Sequence, residues 1–219
     1  MSTPGFQVTI GGLTVVMAYL TSTEFINGLK LAPKNEVKLG DGFKLINTFL
    51  RMSIRKVNDV DVDFAKLSGL GLAKYIPRTR HLVRLGQIWS EQTVGTETER
   101  EAVKKSVKVS TDGDKEVWTF CLPGGREIVM EEQPVETVAE ALNKADISDY
   151  TSVRAFTSII EKLRHSIASI DGEPIGDLEG AAWDNVFSVK ETYLAGYIWT
   201  LMHEGEDNEP GEVCAVSGI

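Results

Sequence analysis

Gly86-Gln87-Ile88-Trp89-Ser90 returns further along the chain as Gly196-Tyr197-Ile198-Trp199-Thr200, and the fold is read outward from that echo. Each copy closes an apolar run of helical spacing. Leu82, Leu85 and Trp89 share one face in the first; Ala195 and Trp199 hold the matching places in the second, with Leu194, Ile198 and Met202 forming a stripe beside them. A glycine inside a helix costs about 1 kcal/mol against alanine. A glycine three residues before a tryptophan, placed twice, therefore predicts a point where another backbone or an aromatic ring comes close. On this ground Gly86, Trp89, Gly196 and Trp199 are the candidate packing or interaction residues. Two unrelated amphipathic helices would be the better account of the pair if nothing upstream matched.

Upstream, the match continues. Shifting the chain on itself by about 113 residues lays 6–62 on 119–175 without a gap. Gly11-Gly12 falls on Gly124-Gly125, Val16-Met17 on Val129-Met130, Ile46 on Ile159, Leu50-Arg51 on Leu163-Arg164, and Ser53-Ile54 on Ser166-Ile167. A contraction of about three residues then aligns the two Gly-x-Ile-Trp segments. The expectation is an α+β chain of two tandem repeats, each a small antiparallel hairpin or meander packed with about three helices. The boundaries read as 1–92 for the first repeat and 93–117 for a charged connector plus an extra strand. Residues 118–203 form the second repeat and 204–219 an acidic tail, expected to be dispensable for folding.

Taken in order, 7–10 and 13–19 alternate around Gly11-Gly12, which predicts a hairpin. Thr21-Ser22-Thr23-Glu24 has capping-box spacing ahead of a helix that ends at Ala32-Pro33. Asp41 is the expected N-cap of a longer helix through Arg55, and 57–62 reads as one short extended segment. Pro77 is placed in the first turn of the helix that carries Gly86, which should run to Gln92. The polar run 93–102 reads as a connector leading into a strand over 105–110 and a turn at Asp112-Gly113. Strands over 117–122 and 127–131 follow, joined through Pro123-Gly124-Gly125. Pro134 and Glu136 open a helix to Asn143, a second long helix covers 151–168, and 170–175 makes a turn. Ser188-Val189-Lys190-Glu191 repeats the capping box ahead of Gly196.

The composition is that of an ordinary globular chain, 42% hydrophobic and 25% charged. No apolar run reaches the ~18 residues of a membrane span, and the first residues lack the pattern of a signal peptide. Two cysteines, Cys121 and Cys214, indicate no disulfide framework; Cys121 falls opposite Val8 and is expected as a buried strand residue. Net charge is −9, but residues 1–92 hold 12 basic and 7 acidic residues while the remainder holds 11 and 25. A basic patch of Lys74, Arg78, Arg80 and Arg84 sits in the first half. The opposite signs suggest complementary faces, between repeats or between copies, or else two solvated faces that never meet. General nucleic-acid binding is disfavoured by the acidic balance.

No dinucleotide fingerprint, phosphate loop, Cys-x-x-Cys or nucleophile elbow occurs. The alternating Asp59, Asp61 and Asp63 lack the glycine and distal acid of a calcium loop, and a half-exposed strand explains them better. Glu131, Glu132 and Glu136 suit a strand end and a helix start. The histidines, His81, His165 and His203, are scattered. An enzyme would need a pocket gathering His165, Glu161 and another acid; the expectation is a non-enzymatic chain with no cofactor and no metal.

The second repeat carries a further signal. Leu122-Pro123-Gly124-Gly125-Arg126-Glu127 leads into a strand, polar helices follow, and Ile167-Ala168-Ser169-Ile170-Asp171-Gly172-Glu173-Pro174 precedes a last amphipathic helix. This resembles the small tail-assembly and baseplate-assembly (chaperone-like) proteins of tailed bacteriophages, well over 118–203 and more faintly over the first repeat. The resemblance implies a structural or chaperone role with no catalytic residues. It implies partners among other tail or baseplate proteins, or further copies of the same chain, and a place in the host cytoplasm during assembly or in the virion tail. The alternative is a small-ligand or regulatory binding protein with a cleft between the repeats.

Overall fold

The computed structural model describes residues 5–31, 39–63, 71–145, 148–176, 178 and 181–204. The chain divides into two compact units, Met1–Thr93 and Val94–Ile219.

In the first unit, β1 (Gly5–Ile10) and β2 (Leu13–Ala18) form an antiparallel hairpin, with Ile10 opposite Leu13. Its two-residue turn needs positive φ at both positions, and Gly11 and Gly12 adopt +56° and +83°. Thr21 caps α1 (Ser22–Leu29): its side chain accepts from the Glu24 amide, and the Glu24 carboxylate accepts from the Thr21 amide. The long helix α2 (Leu39–Ser53) runs straight into β3 (Ile54–Val57), which pairs with β2. β4 (Val60–Asp61), α3 (Gly71–Tyr75) and α4 (Thr79–Val94) complete the unit. The sheet order is β1-β2-β3-β4. Met17, Leu50 and Ile54 are at most 1% exposed, each burial stabilising by about 1.5–3 kcal/mol.

The second unit opens with α5 (Glu97–Ser106) and β5 (Lys108–Asp112). It continues through β6 (Lys115–Cys121), β7 (Glu127–Glu131), α6 (Val135–Ala145), α7 (Thr151–Ser166), β8 (Ile167–Ile170), β9 (Glu173–Pro174), α8 (Ala181–Val186) and α9 (Val189–Glu204). Its sheet order is β5-β6-β7-β8-β9. From β6 onward the element order is that of the first unit. Even a register irregularity recurs, between Val16 and Met17 on β2 and between Val129 and Met130 on β7. Asn58 Oδ1 accepts from the Thr14 amide at 2.9 Å, and Asp171 Oδ1 from the Glu127 amide at 2.8 Å, tying the same two turns in each unit.

Several expectations are corrected. The segment 57–62 is not one strand: Asn58 and Asp59 take left-handed φ values of 49° and 63° and turn the chain between β3 and β4. Short polar side chains tolerate that region, which is why an Asn-Asp pair can do here what Asp171-Gly172 does later. Of 93–117, expected as a charged connector plus an extra strand, the strand is present as β5, but the polar run before it is the helix α5. Thr96 and Glu99 form a complete capping box for α5. α2 begins at Leu39, ahead of Asp41, and ends at Ser53, while α7 ends at Ser166; the residues after each enter strands. Pro77 precedes α4, whose first amides bond the Arg78 carbonyl, and Pro134 occupies the cap of α6 through its carbonyl. Residues 205–219, with the acidic tail and Cys214, lie outside the described residues.

The ungapped alignment is also corrected, and Cys121 with it. Val8 pairs with Val15, but Ile128, which matches Val15, pairs with Phe120. The β6–β7 connection is one residue longer than Gly11-Gly12, so everything before it slips by one. A one-residue slip moves each side chain to the other face. Phe120 and Leu122 therefore point inward, and Cys121 is exposed.

Candidate functional site

The four residues of the repeated segment meet the long helix of their own unit. A Cβ placed on Gly86 would lie 2.5 Å from Ile46 Cγ2; on Gly196 it would lie 2.6 Å from Ile159 Cγ2. The neighbour is thus a β-branched side chain, and not the backbone or aromatic ring expected from the sequence. Because Cγ2 is attached directly to a stiff branched Cβ, it has little freedom to retreat, and glycine is what fits. One turn on, Trp89 Nε1 donates to Ser53 Oγ at 2.9 Å, and Trp199 Nε1 to Ser166 Oγ at 2.9 Å. The two serines are the last residues of α2 and α7, at 0% and 1% exposure. A buried indole N–H and a buried hydroxyl satisfy each other, so neither carries a desolvation penalty. Trp89 and Trp199 are 6% and 3% exposed, which makes these residues internal packing elements with no surface to offer a partner. Neither serine was singled out from the sequence, although both lie in an aligned Ser-Ile pair.

The surroundings of the two indoles differ. Trp89 stacks on Phe49 at 4.6 Å, and Phe49 on Phe25 at 4.9 Å. Trp199 has Lys162 Nζ 4.1 Å from its ring centroid and His203 stacked at 4.0 Å. The His203 ring takes the amide of Gln133 on Nε2 and faces the Trp199 carbonyl with Nδ1, which places the ring proton on Nδ1.

A second contact recurs with different chemistry. In the second unit Arg126, beside the hairpin loop, donates to Glu191 Oε1 at 2.7 Å and to the Val186 carbonyl at 2.8 Å, with its guanidinium over Phe187. In the first, His81 packs under Gly11 of the hairpin turn and is 7% exposed. Each ties a hairpin to the start of the last helix.

Among the described residues the remaining titratable groups do not converge. Glu161 is engaged by Arg164 at 2.8 Å, while His165 Nε2 is buried without a hydrogen-bond partner. Asp61 pairs with Lys56 and Glu131 with Lys115. Among the described residues no three His, Cys, Asp or Glu side chains are placed to hold a metal ion. Burial pushes the Glu99 carboxyl up, but hydrogen bonds from Lys190 and Thr96, together with the Lys190 charge, outweigh it and hold the group below its ordinary value. Burial raises the Tyr197 phenol. Both groups lie where α5 meets α9.

No family model matches the chain, and no solved structure matches it. In an alignment of 111 positions that covers 45% of this chain, it is 32% identical to a protein described as the mitochondrial intermediate peptidase of Debaryomyces hansenii. The match covers 14% of that protein. No helix among the described residues is long and apolar enough to cross a membrane.

Proposed function

We propose that the chain is a tandem duplication serving as a non-enzymatic adaptor or assembly chaperone of a bacteriophage tail or baseplate, acting through protein–protein contacts. The observation that carries the adaptor reading is the use made of the repeated residues. In both units the indole N–H of the Gly-x-Ile-Trp segment and the hydroxyl of its serine partner are spent inside the core, holding a helix on a helix. The phage assignment rests on the resemblance of 118–203, above all the hairpin through Pro123-Gly124-Gly125 and the Ile-Asp-Gly segment at 170–172. The partial likeness to a peptidase spans too little of that protein to bring its activity here.

Affinity capture of the tagged chain from phage-infected cells tests the reading. Tail-tube, tape-measure or baseplate proteins are the expected partners. Recovery of host metabolic proteins alone, or of a tightly bound metabolite by native mass spectrometry, would sink it in favour of a regulatory or ligand-binding role.

A further inference from the structure

The two sheets differ at one edge. In the second unit the outward backbone groups of β6 are met by β5, with Asp112 opposite Lys115, Ser110 opposite Val117 and Lys108 opposite Thr119. The next outward amide, Cys121 N–H, donates to Ser106 Oγ at 2.9 Å. The structural counterpart of β6 in the first unit is β1, and among the described residues β1 ends its sheet. Closing of the two-residue hairpin at Ile10 and Leu13 directs the hydrogen bonds of Phe6, Val8 and Ile10 to β2. Those of Gly5, Gln7 and Thr9 then point outward, and all three residues are exposed.

Other exposed edges are blunted. β4 and β9 are two residues long, and β5 carries Lys108 and Asp112. β1 has six residues, Gly5-Phe6-Gln7-Val8-Thr9-Ile10, with no charge and no proline. Its inner-face side chains, Phe6, Val8 and Ile10, remain half-buried, whereas Phe120 and Leu122, the counterparts of Val8 and Ile10, are 0% and 2% exposed.

We infer that β1 is a self-association strand, pairing antiparallel with β1 of a second copy of this chain about a two-fold axis at Gln7. The strand is its own complement. Gln7 faces Gln7 of the other copy and Gly5 faces Thr9, so every outward amide and carbonyl of the three residues finds a partner. Phe6 comes opposite Val8, which covers the half-buried apolar face. No like charges meet along the strand, and a two-fold contact closes on itself at a dimer. An unrelated partner would have to supply a matching strand that each copy of this chain already has.

The inference stands apart from the tail reading, because a dimer is expected of the purified chain alone. Sedimentation of the full chain at about 100 μM should show a dimer, a concentration that saturates a micromolar Kd. Gln7→Lys and Gln7→Glu should each weaken self-association about fivefold, as like charges directly opposed across a strand pair do. Mixing the two variants should restore association above either alone, with unchanged circular dichroism throughout. A wild-type chain that stays monomeric, leaving the edge to a strand of another protein, overturns the inference. So does a dimer indifferent to charge at position 7. Neither result would touch the adaptor reading.

Discussion

The last helix of each unit carries the same Gly-x-Ile-Trp core face but a different outer face. On α9 that outer face is Lys190, Leu194, Tyr197 and Leu201; at the matching places α4 has Arg80, Arg84, Gln87 and Glu91. The second unit has α5 beside it: Lys190 pairs with Glu99 at 2.6 Å, and Leu194 packs on Gly95 just ahead of α5. Among the described residues the first unit has no counterpart of α5. Its face is wet, with Arg84 bonded to Gln87 and paired with Glu91. Leu194 is 1% exposed, and the Arg84 side chain is 54% exposed. The two helices thus share the Gly-x-Ile-Trp face and differ on the face that α5 covers in the second unit. Core pattern follows what the fold needs, and surface pattern follows what covers it.

Exchanging the two residues should break this comparison most visibly. Leu194→Arg puts a charge into a dry contact and should cost about 3–5 kcal/mol in chemical denaturation. The reciprocal Arg84→Leu should stay within about 0.5 kcal/mol, since no cover is disturbed. Equal effects would mean that α5 does not set the difference.

The shared face should respond alike in both units. Gly86→Ala and Gly196→Ala are each expected to destabilise by about 1–3 kcal/mol through overpacking. Adding Ile46→Leu or Ile159→Leu, which removes the Cγ2 branch, should recover part of the loss. Stabilisation by either alanine would show that the glycines are incidental. Ser53→Ala and Ser166→Ala leave an indole N–H buried without an acceptor and should cost about 1–2 kcal/mol each. Hydrogen exchange can assign each loss to its unit, and a large inequality between the serines would weaken the equivalence of the two cores.

The smallest effect is a pH dependence confined to the second unit. The Glu99 pKa is depressed on folding, so its contribution is present above the unfolded value and is lost as pH falls through the folded one. Acidification below about pH 4.5 should loosen α5 by less than about 1 kcal/mol, the range of a partly exposed pair. Glu99→Gln should abolish that dependence, as followed by amide exchange in α5.

Much of this was legible in the sequence where the signal is local. Glycine pairs marked the hairpins, and the capping boxes at Thr21 and Ser188 marked helix starts. α5 was missed because six of its ten residues are charged, although Thr96-x-x-Glu99 is the same capping signal. The exposure of Cys121 was missed because residue spacing conceals a one-residue difference in loop length, which appears only when strand registers are compared. The serine partners of the tryptophans were hidden for another reason. Nothing local distinguishes a serine at a helix end that will receive an indole N–H from one that faces water.

Trp89 has one more consequence. It is the sole tryptophan of Met1–Thr93, while Trp118, Trp183 and Trp199 belong to the other unit. The chain thus carries a built-in optical and magnetic label for one half of itself. The single indole resonance of Trp89, held by Ser53 and shielded by Phe49, watches the first unit without any introduced probe. The indole of Trp199, lying against His203 and under Lys162, shares its unit with two further tryptophans and gives no such single reading.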